Sequence, residues 1–138
     1  MRHLDIYIDG ASKGNPGPSG IGVVICHNAE AVKNISEFIG NATNNIAEYT
    51  ALIYALKEAV VLKADTLEIR TDSQLLARQI NKVYKIRNER ILDLHKQAAS
   101  IMSSFKNVIV NHIPRESNKG ADKLANQAVK KALKSARV

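Results

Sequence analysis

The chain has no tryptophan, a single cysteine, three prolines and only 4% aromatic residues among 138. With Cys26 alone, an internal disulfide is excluded and a reducing compartment is indicated, so a cytoplasmic location is expected. No cluster of Cys and His stands at metal-ligand spacing, which argues against zinc. No apolar run approaches the ~20 residues that cross a bilayer, and the N-terminus lacks a signal-peptide pattern, so no membrane partner is expected. Asn34-Ile35-Ser36 and Asn41-Ala42-Thr43 match the glycosylation pattern, but without an export signal the matches are fortuitous. An apolar content of 45% with seven glycines excludes disorder and fibrous repeats. No internal repeat, low-complexity tract or linker divides the sequence. One domain over 1–138 follows, long enough to bury a core, and a monomer is the simplest state.

What the chain has in excess is positive charge, +7 with a pI near 9.6. That balance favours a polyanionic partner, although many soluble domains share it. Hydrophobic periodicity then divides the chain. Ile6 and Ile8 share one face of a first strand, and Asp5, Tyr7 and Asp9 share the other. A small-residue turn follows, Gly10 to Pro18, which lets a ligand's backbone come close to Asp9. Gly20 to Cys26 reads as a buried strand, and Ala31 to Gly40 as a third strand joined by the turn 27–30. From Thr43 to Lys63 the period changes to that of a helix. Ala47, Ala51, Ala55 and Ala59 form a small-residue stripe able to lie close against a sheet, with Asn44 or Asn45 as N-cap. A strand over 66–71, a helix from Asp72-Ser73 to about Asn81, a helix from Asn88 or Glu89 to about Ser104, a strand over 108–113 and a last helix from about Lys119 to Lys134 complete the order. Strands linked through helices run parallel and the opening meander antiparallel, giving an α/β fold on a mixed five-stranded sheet.

Asp9 and Asp72 both close strands at their carboxyl ends, where ligands of such sheets gather. Glu48 lies in the first turns of the long helix and Asp122 in the first turn of the last one. Each has a purely structural account. Acids near a helix N-terminus are favoured by ~0.3–1 kcal/mol, and Asp72 suits an N-cap. Together in one low-dielectric pocket, however, four carboxylates repel one another, and a pair of hard cations removes that cost. Mg²⁺ accepts carboxylate, water and phosphate oxygens, and two such ions suit phosphodiester hydrolysis.

Five stretches in this order resemble the type 1 ribonuclease H family: Tyr7-Ile8-Asp9-Gly10-Ala11-Ser12 with Gly14-Asn15-Pro16-Gly17-Pro18, Thr43-Asn44-Asn45-Ile46-Ala47-Glu48, Thr71-Asp72-Ser73-Gln74, the strand from Asn107 to Pro114, and Ala121-Asp122-Lys123-Leu124-Ala125. The resemblance implies the ribonuclease H-like sheet, three strands antiparallel and two parallel, flanked by helices. It implies an endoribonuclease that cuts the RNA strand of an RNA–DNA hybrid by two-metal-ion catalysis and leaves 5′-phosphate and 3′-hydroxyl ends. Asp9, Glu48, Asp72 and Asp122 would be catalytic residues and ligands of two Mg²⁺ ions, with Mn²⁺ a substitute. Gly10, Ser12, Asn15, Asn44, Asn45, Gln74 and Arg115 would contact substrate. Asn and Gln amides suit a 2′-hydroxyl, because they both donate and accept hydrogen bonds.

Two features depart from the family. The basic, tryptophan-bearing protrusion of familiar bacterial members is reduced here to residues 82–90, so a weaker hold on the hybrid is expected. The loop before Asp122 lacks the histidine of many relatives and reads Pro114-Arg115-Glu116-Ser117. Arg115 could approach the scissile phosphate as a fixed cation or pair with an acid. An alternative function is a nucleic-acid-binding protein of the same fold that cuts poorly or not at all. A third is a resolvase or exonuclease of the same superfamily, against which the Asn-Asn and Asp-Ser-Gln stretches speak.

Overall fold

Apolar alternation in the first third of the chain folds into a meander. In the computed structural model, which describes residues 1–136, Leu4, Ile6 and Ile8 of β1 (His3–Ser12) turn inward beside Ile21, Val23 and Ile25 of β2 (Gly17–His27), all fully buried. The turn Asn28-Ala29, with both φ positive at 51° and 67°, has the twist that leads directly into β3 (Glu30–Ala42). β3 is longer than the expected 31–40, because its pairing with β2 continues from His27↔Glu30 to Gly17↔Ala42 through two register shifts.

The remaining elements are α1 (Asn44–Val61), β4 (Thr66–Thr71), α2 (Gln74–Ile80), α3 (Glu89–Met102), β5 (Asn107–His112), a 3-10 turn over Arg115–Ser117 and α4 (Lys119–Ser135). β4 pairs parallel with β1, and β5 parallel with β4, so the sheet order is β3-β2-β1-β4-β5. This is the expected mixed sheet, with the meander antiparallel and the crossover strands parallel. The last two residues of the expected 1–138 domain lie outside the described residues. No described helix is long and apolar enough to cross a membrane.

Caps set the helix starts, and two differ from expectation. Thr43, in extended backbone, caps α1 by accepting the Ile46 N–H at 3.2 Å, a role the sequence assigns to Asn44 or Asn45. Ser73 caps α2 through Leu76 N–H at 3.1 Å, so Asp72 is not spent as a cap. Asn88 caps α3, which starts at Glu89, one of the two starts expected.

Glycines and alanines bring helices unusually close to both sheet faces. Ala47, Ala51, Ala55 and Ala59 are fully buried on one face. A Cβ on Gly10 would lie 2.5 Å from the Ala47 carbonyl carbon. On the opposite face α4 crosses β2 at Gly20 and Gly22, where Ala121, Ala125, Ala128 and Val129 are buried. Leu124 and Ala132 of the same helix are only half-buried.

Gly22→Ala tests this seating directly. Its Cβ would stand 2.0 Å from the Ala121 carbonyl oxygen and 2.7 Å from the Ala125 nitrogen, both rigid backbone. Overpacking of this kind costs about 1–3 kcal/mol. Thermal unfolding should show a Tm lowered by about 3–10 °C.

Candidate functional site

β1 and β4 stay paired only as far as Ile8↔Thr71. The next residue on each strand is an aspartate, so Asp9 and Asp72 stand side by side where the strands part. Asn118, 1% exposed, fills the fork. Its Nδ2 donates to the Ile8 carbonyl at 2.8 Å and reaches Asp72 Oδ2 at 3.4 Å. Its Oδ1 is buried and finds no partner among the described residues. Sequence reading did not single out Asn118. The available signal is its spacing, one helical turn before Asp122 in a loop that needs an N-cap.

Glu48 arrives from the other side. The close seating of α1 on Gly10 lets Gly10 N–H donate to Glu48 Oε1, and Thr71 Oγ1 donates to Oε2 at 3.4 Å. Asp9 and Glu48 are each 5% exposed. Carboxylate oxygens of Asp9, Glu48 and Asp72 all lie within 4.8 Å of one another. Asp122 stands at the margin of this triad. Its Oδ1 is held by Asn126 Nδ2 at 3.2 Å and faces Arg115 at 3.8 Å. Of the two roles open to Arg115, the ion pair with an acid is the one seen, and the acid is Asp122.

These residues line a cleft of about 450 Å³: Asp9, Gly10, Ser12, Asn44, Glu48, Asp72, Arg115 and Asp122, with Asn126 as an addition that sequence reading did not make. Asn15, Asn45 and Gln74 fall outside its walls. Asn15 accepts the Asn44 N–H at 3.0 Å and ties the β1–β2 turn to the start of α1. Asn45 Nδ2 reaches Gln79 Oε1 at 3.5 Å, while Gln74 is exposed at the head of α2. Gln79 is a second buried amide the sequence does not flag, and it also accepts from the Tyr49 hydroxyl at 3.0 Å. Within the cleft Ser12 donates to backbone, with Gly14 and Ala42 carbonyls in reach.

The electrostatics follow from burial. Loss of solvation, then the Glu48 and Asp72 charges, push the Asp9 carboxyl up to about 10. Burial pushes Glu48 up to about 7, opposed by the Gly10 N–H. Asp9 is raised the further of the two, because the Glu48 and Asp72 charges add to its burial while the Gly10 N–H eases Glu48. Arg115, 79% exposed at the rim, is the one basic side chain among the cleft-lining residues. Hard oxygen donors with unsatisfied negative charge fit a divalent cation such as Mg²⁺, and the triad contains no sulfur or imidazole that would favour zinc.

Comparisons with known proteins agree with this geometry. A family described as "Reverse transcriptase-like" matches residues 7–128. Ribonuclease HI of Halobacterium salinarum is 39% identical over 124 residues, 89% of this chain and 62% of that protein. The bifunctional protein Rv2228c of Mycobacterium tuberculosis is 38% identical over 133 residues, 95% of this chain and 36% of that protein. The chain thus spans less than two thirds of either relative. The solved structure of LC11-RNase H1 in complex with RNA/DNA hybrid superposes with a TM-score of 0.89 at 41% identity, covering 94% of this chain and 99% of that one.

A raised carboxyl has a definite signature in stability. Folded Asp9 keeps its proton while the unfolded chain loses it above about pH 4, so the metal-free fold weakens as pH rises from there toward Asp9's own value. Asp9→Asn removes the penalty. Without divalent ions its Tm at pH 7 should exceed that of the parent by at least ~3 °C, and the gain should vanish near pH 4. Melting curves of both proteins in a chelator, taken across this range, check it.

Proposed function

This chain belongs to the ribonuclease H family, and we propose that it is an endoribonuclease that hydrolyses the RNA strand of RNA–DNA hybrids, leaving 5′-phosphate and 3′-hydroxyl ends. The observation that carries the proposal is the triad Asp9, Glu48 and Asp72, two of them buried and the third half-buried, gathered where two parallel strands part and without a basic partner among the described residues. Evolved structures rarely keep like charges so close in a dry site unless a cation joins them.

Asp9, Glu48 and Asp72 would hold Mg²⁺, with Mn²⁺ as a substitute, and Asp122 would complete the ligands for a second ion. Two such ions, when bound, supply the Lewis acidity that activates a water and steadies the departing 3′ oxygen. The chain's own groups orient everything else. Gly10 N–H and Thr71 fix the Glu48 carboxylate, and Asn118 holds Asp72 against β1. The Asn44 amide, exposed at the cleft wall, offers both a donor and an acceptor to a ribose 2′-hydroxyl. Arg115 gives the rim a charge for phosphate once Asp122 turns to the metal. Asn15, Asn45 and Gln74, beyond the cleft, would meet the minor groove further along the duplex. The lone Cys26 suits a reducing compartment such as the cytoplasm, and a monomer suffices because one chain brings all four acids together.

A labelled hybrid incubated with Mg²⁺ or Mn²⁺, beside double-stranded RNA and DNA, tests the reading. Cleavage confined to the RNA strand of the hybrid is expected, and hybrid binding without cutting would favour the alternative of a binding module. Asp9→Asn and Asp72→Asn should each lose at least ~100-fold in rate, since outer partners of a metal site alone are worth 10–100-fold. Cutting that survives in both would refute the ligand assignment.

Asn118 should behave as such an outer partner. Asn118→Ala frees the Asp72 carboxylate and should weaken Mn²⁺ binding, read by calorimetry, by about 10–100-fold. Unchanged affinity would show that the Asn118 amide does nothing for Asp72.

A further inference from the structure

We propose that Lys13, Lys130 and Lys134 form a second phosphate-binding flank that carries the hybrid's backbone away from the acids along α4. The proposal rests on the reading of the cleft as a hybrid-cutting site.

The geometry starts with the direction of α4. Gly120 lies by Val24, Gly22 by Ala121 to Ala125, and Gly20 by Ala125 to Val129. Gly22 pairs with Asp9 and Ser19 with Ser12 across the first two strands. The first turn of α4 is therefore level with Asp9, and its later turns are level with the β1–β2 turn. Lys130 and Lys134 stand about 12 and 18 Å along the helix from Asp122. Ser12, the last residue of β1, stands about 10 Å beyond Asp9, and Lys13 follows it into the turn. The two elements bring these lysines together, and Lys13, Lys130, Leu133 and Lys134 line one cleft of about 490 Å³. A neighbouring cleft of about 810 Å³ shares Lys130 and Lys134 and adds Lys131, against Ser36, Glu37 and Phe38 of β3.

A row of lysines on a helix is ordinarily a solvated face, and the helix dipole accounts for Lys134 near the C-terminus. Neither reason reaches Lys13, which comes from a separate turn. Lys13, Lys130, Lys131 and Lys134 are exposed, and none makes an ion pair among the described residues. Glu37 is the one acid on these walls. Four cations against a single acid mark a track for a polyanion. A separation of 12–18 Å corresponds to about four or five nucleotides at ~3.4 Å each. The flank would thus meet phosphates that lie beyond the step being cut, on the side of Asn15.

The test uses the full chain carrying Asp72→Asn, so that the hybrid stays intact, and follows fluorescence anisotropy of a labelled hybrid over a range of salt. Adding Lys13→Gln, Lys130→Gln and Lys134→Gln should weaken binding at least ~10-fold near 0.1 M salt. The slope of log affinity against log salt should become shallower by about 2–3, since each of three lost phosphate contacts removes 0.7–0.9. Equal loss of charge at Lys57, Lys63 and Lys106, away from both clefts, should leave the slope unchanged. Lys13→Gln alone, in an exposed turn, gives a smaller drop of the same kind should the triple variant fail to fold. If the parent cuts hybrids and the triple variant keeps its affinity and slope, the flank is refuted and the cleft stands. A parent that neither binds nor cuts hybrids overturns the reading of the cleft and the flank with it.

Discussion

Three carboxylates converge at one point, two of them almost wholly buried, and most of the fold's particular features serve to keep them there. Left alone, the site holds protons, on Asp9 above all, where burial and the Glu48 and Asp72 charges act in one direction. A divalent cation held by Asp9, Glu48 and Asp72 would offset this repulsion and take the place of a proton among oxygens that already converge. The buried polar shell fits this arrangement. Gly10 N–H and Thr71 steady Glu48, and Asn118 steadies Asp72, each from backbone or from a side chain that is itself buried.

Close approach of helices to the sheet is what brings carboxylates from different parts of the chain together. Glu48 reaches the strand ends because Gly10 has no Cβ to hold α1 away. Asp122 reaches its margin because α4 sits on Gly20 and Gly22 with alanines against them. Asp9 and Asp72 need no such device, since parallel pairing ends one residue before each. The site is thus made of one pair fixed by strand register and two acids delivered by helices whose distance from the sheet is set by glycine.

The parts of this design that have a period or an ordered motif are legible in sequence. Strand alternation and the alanine stripe predict the sheet and the face of α1, and strand ends predict the position of Asp9 beside Asp72. Contacts that depend on one atom's reach are not legible. Thr43 and Asn44 are both sound N-caps by residue type, and only the extended backbone at Thr43 decides between them. Asp72 reads equally well as a cap until Ser73 is seen to do that work, which frees its carboxylate for the cleft. Asn118 and Gln79 carry no pattern, because a lone buried amide looks like any polar loop or helix residue until its partners are known. Asn15, Asn45 and Gln74 belong to motifs but lie off the cleft walls, since a motif conveys membership in a surface and not distance from its centre.

A centre built from acids cannot also be what grips a polyanion. The cleft offers Arg115 alone against its carboxylates, and Arg115 already faces Asp122. Metal ions offset that negative charge locally, but the phosphates on either side of the reacting one still need cations of their own. If the chain binds a hybrid as proposed, its net charge of +7 has to act outside the cleft. The short link over 82–90 carries Lys82, Lys85, Arg87 and Arg90 in a region otherwise reduced. The far end of α4 gathers lysines against the β1–β2 turn, with no ion pair among the described residues. On that reading chemistry and affinity fall to opposite charges in separate places, the acids inside the cleft and the cations outside it.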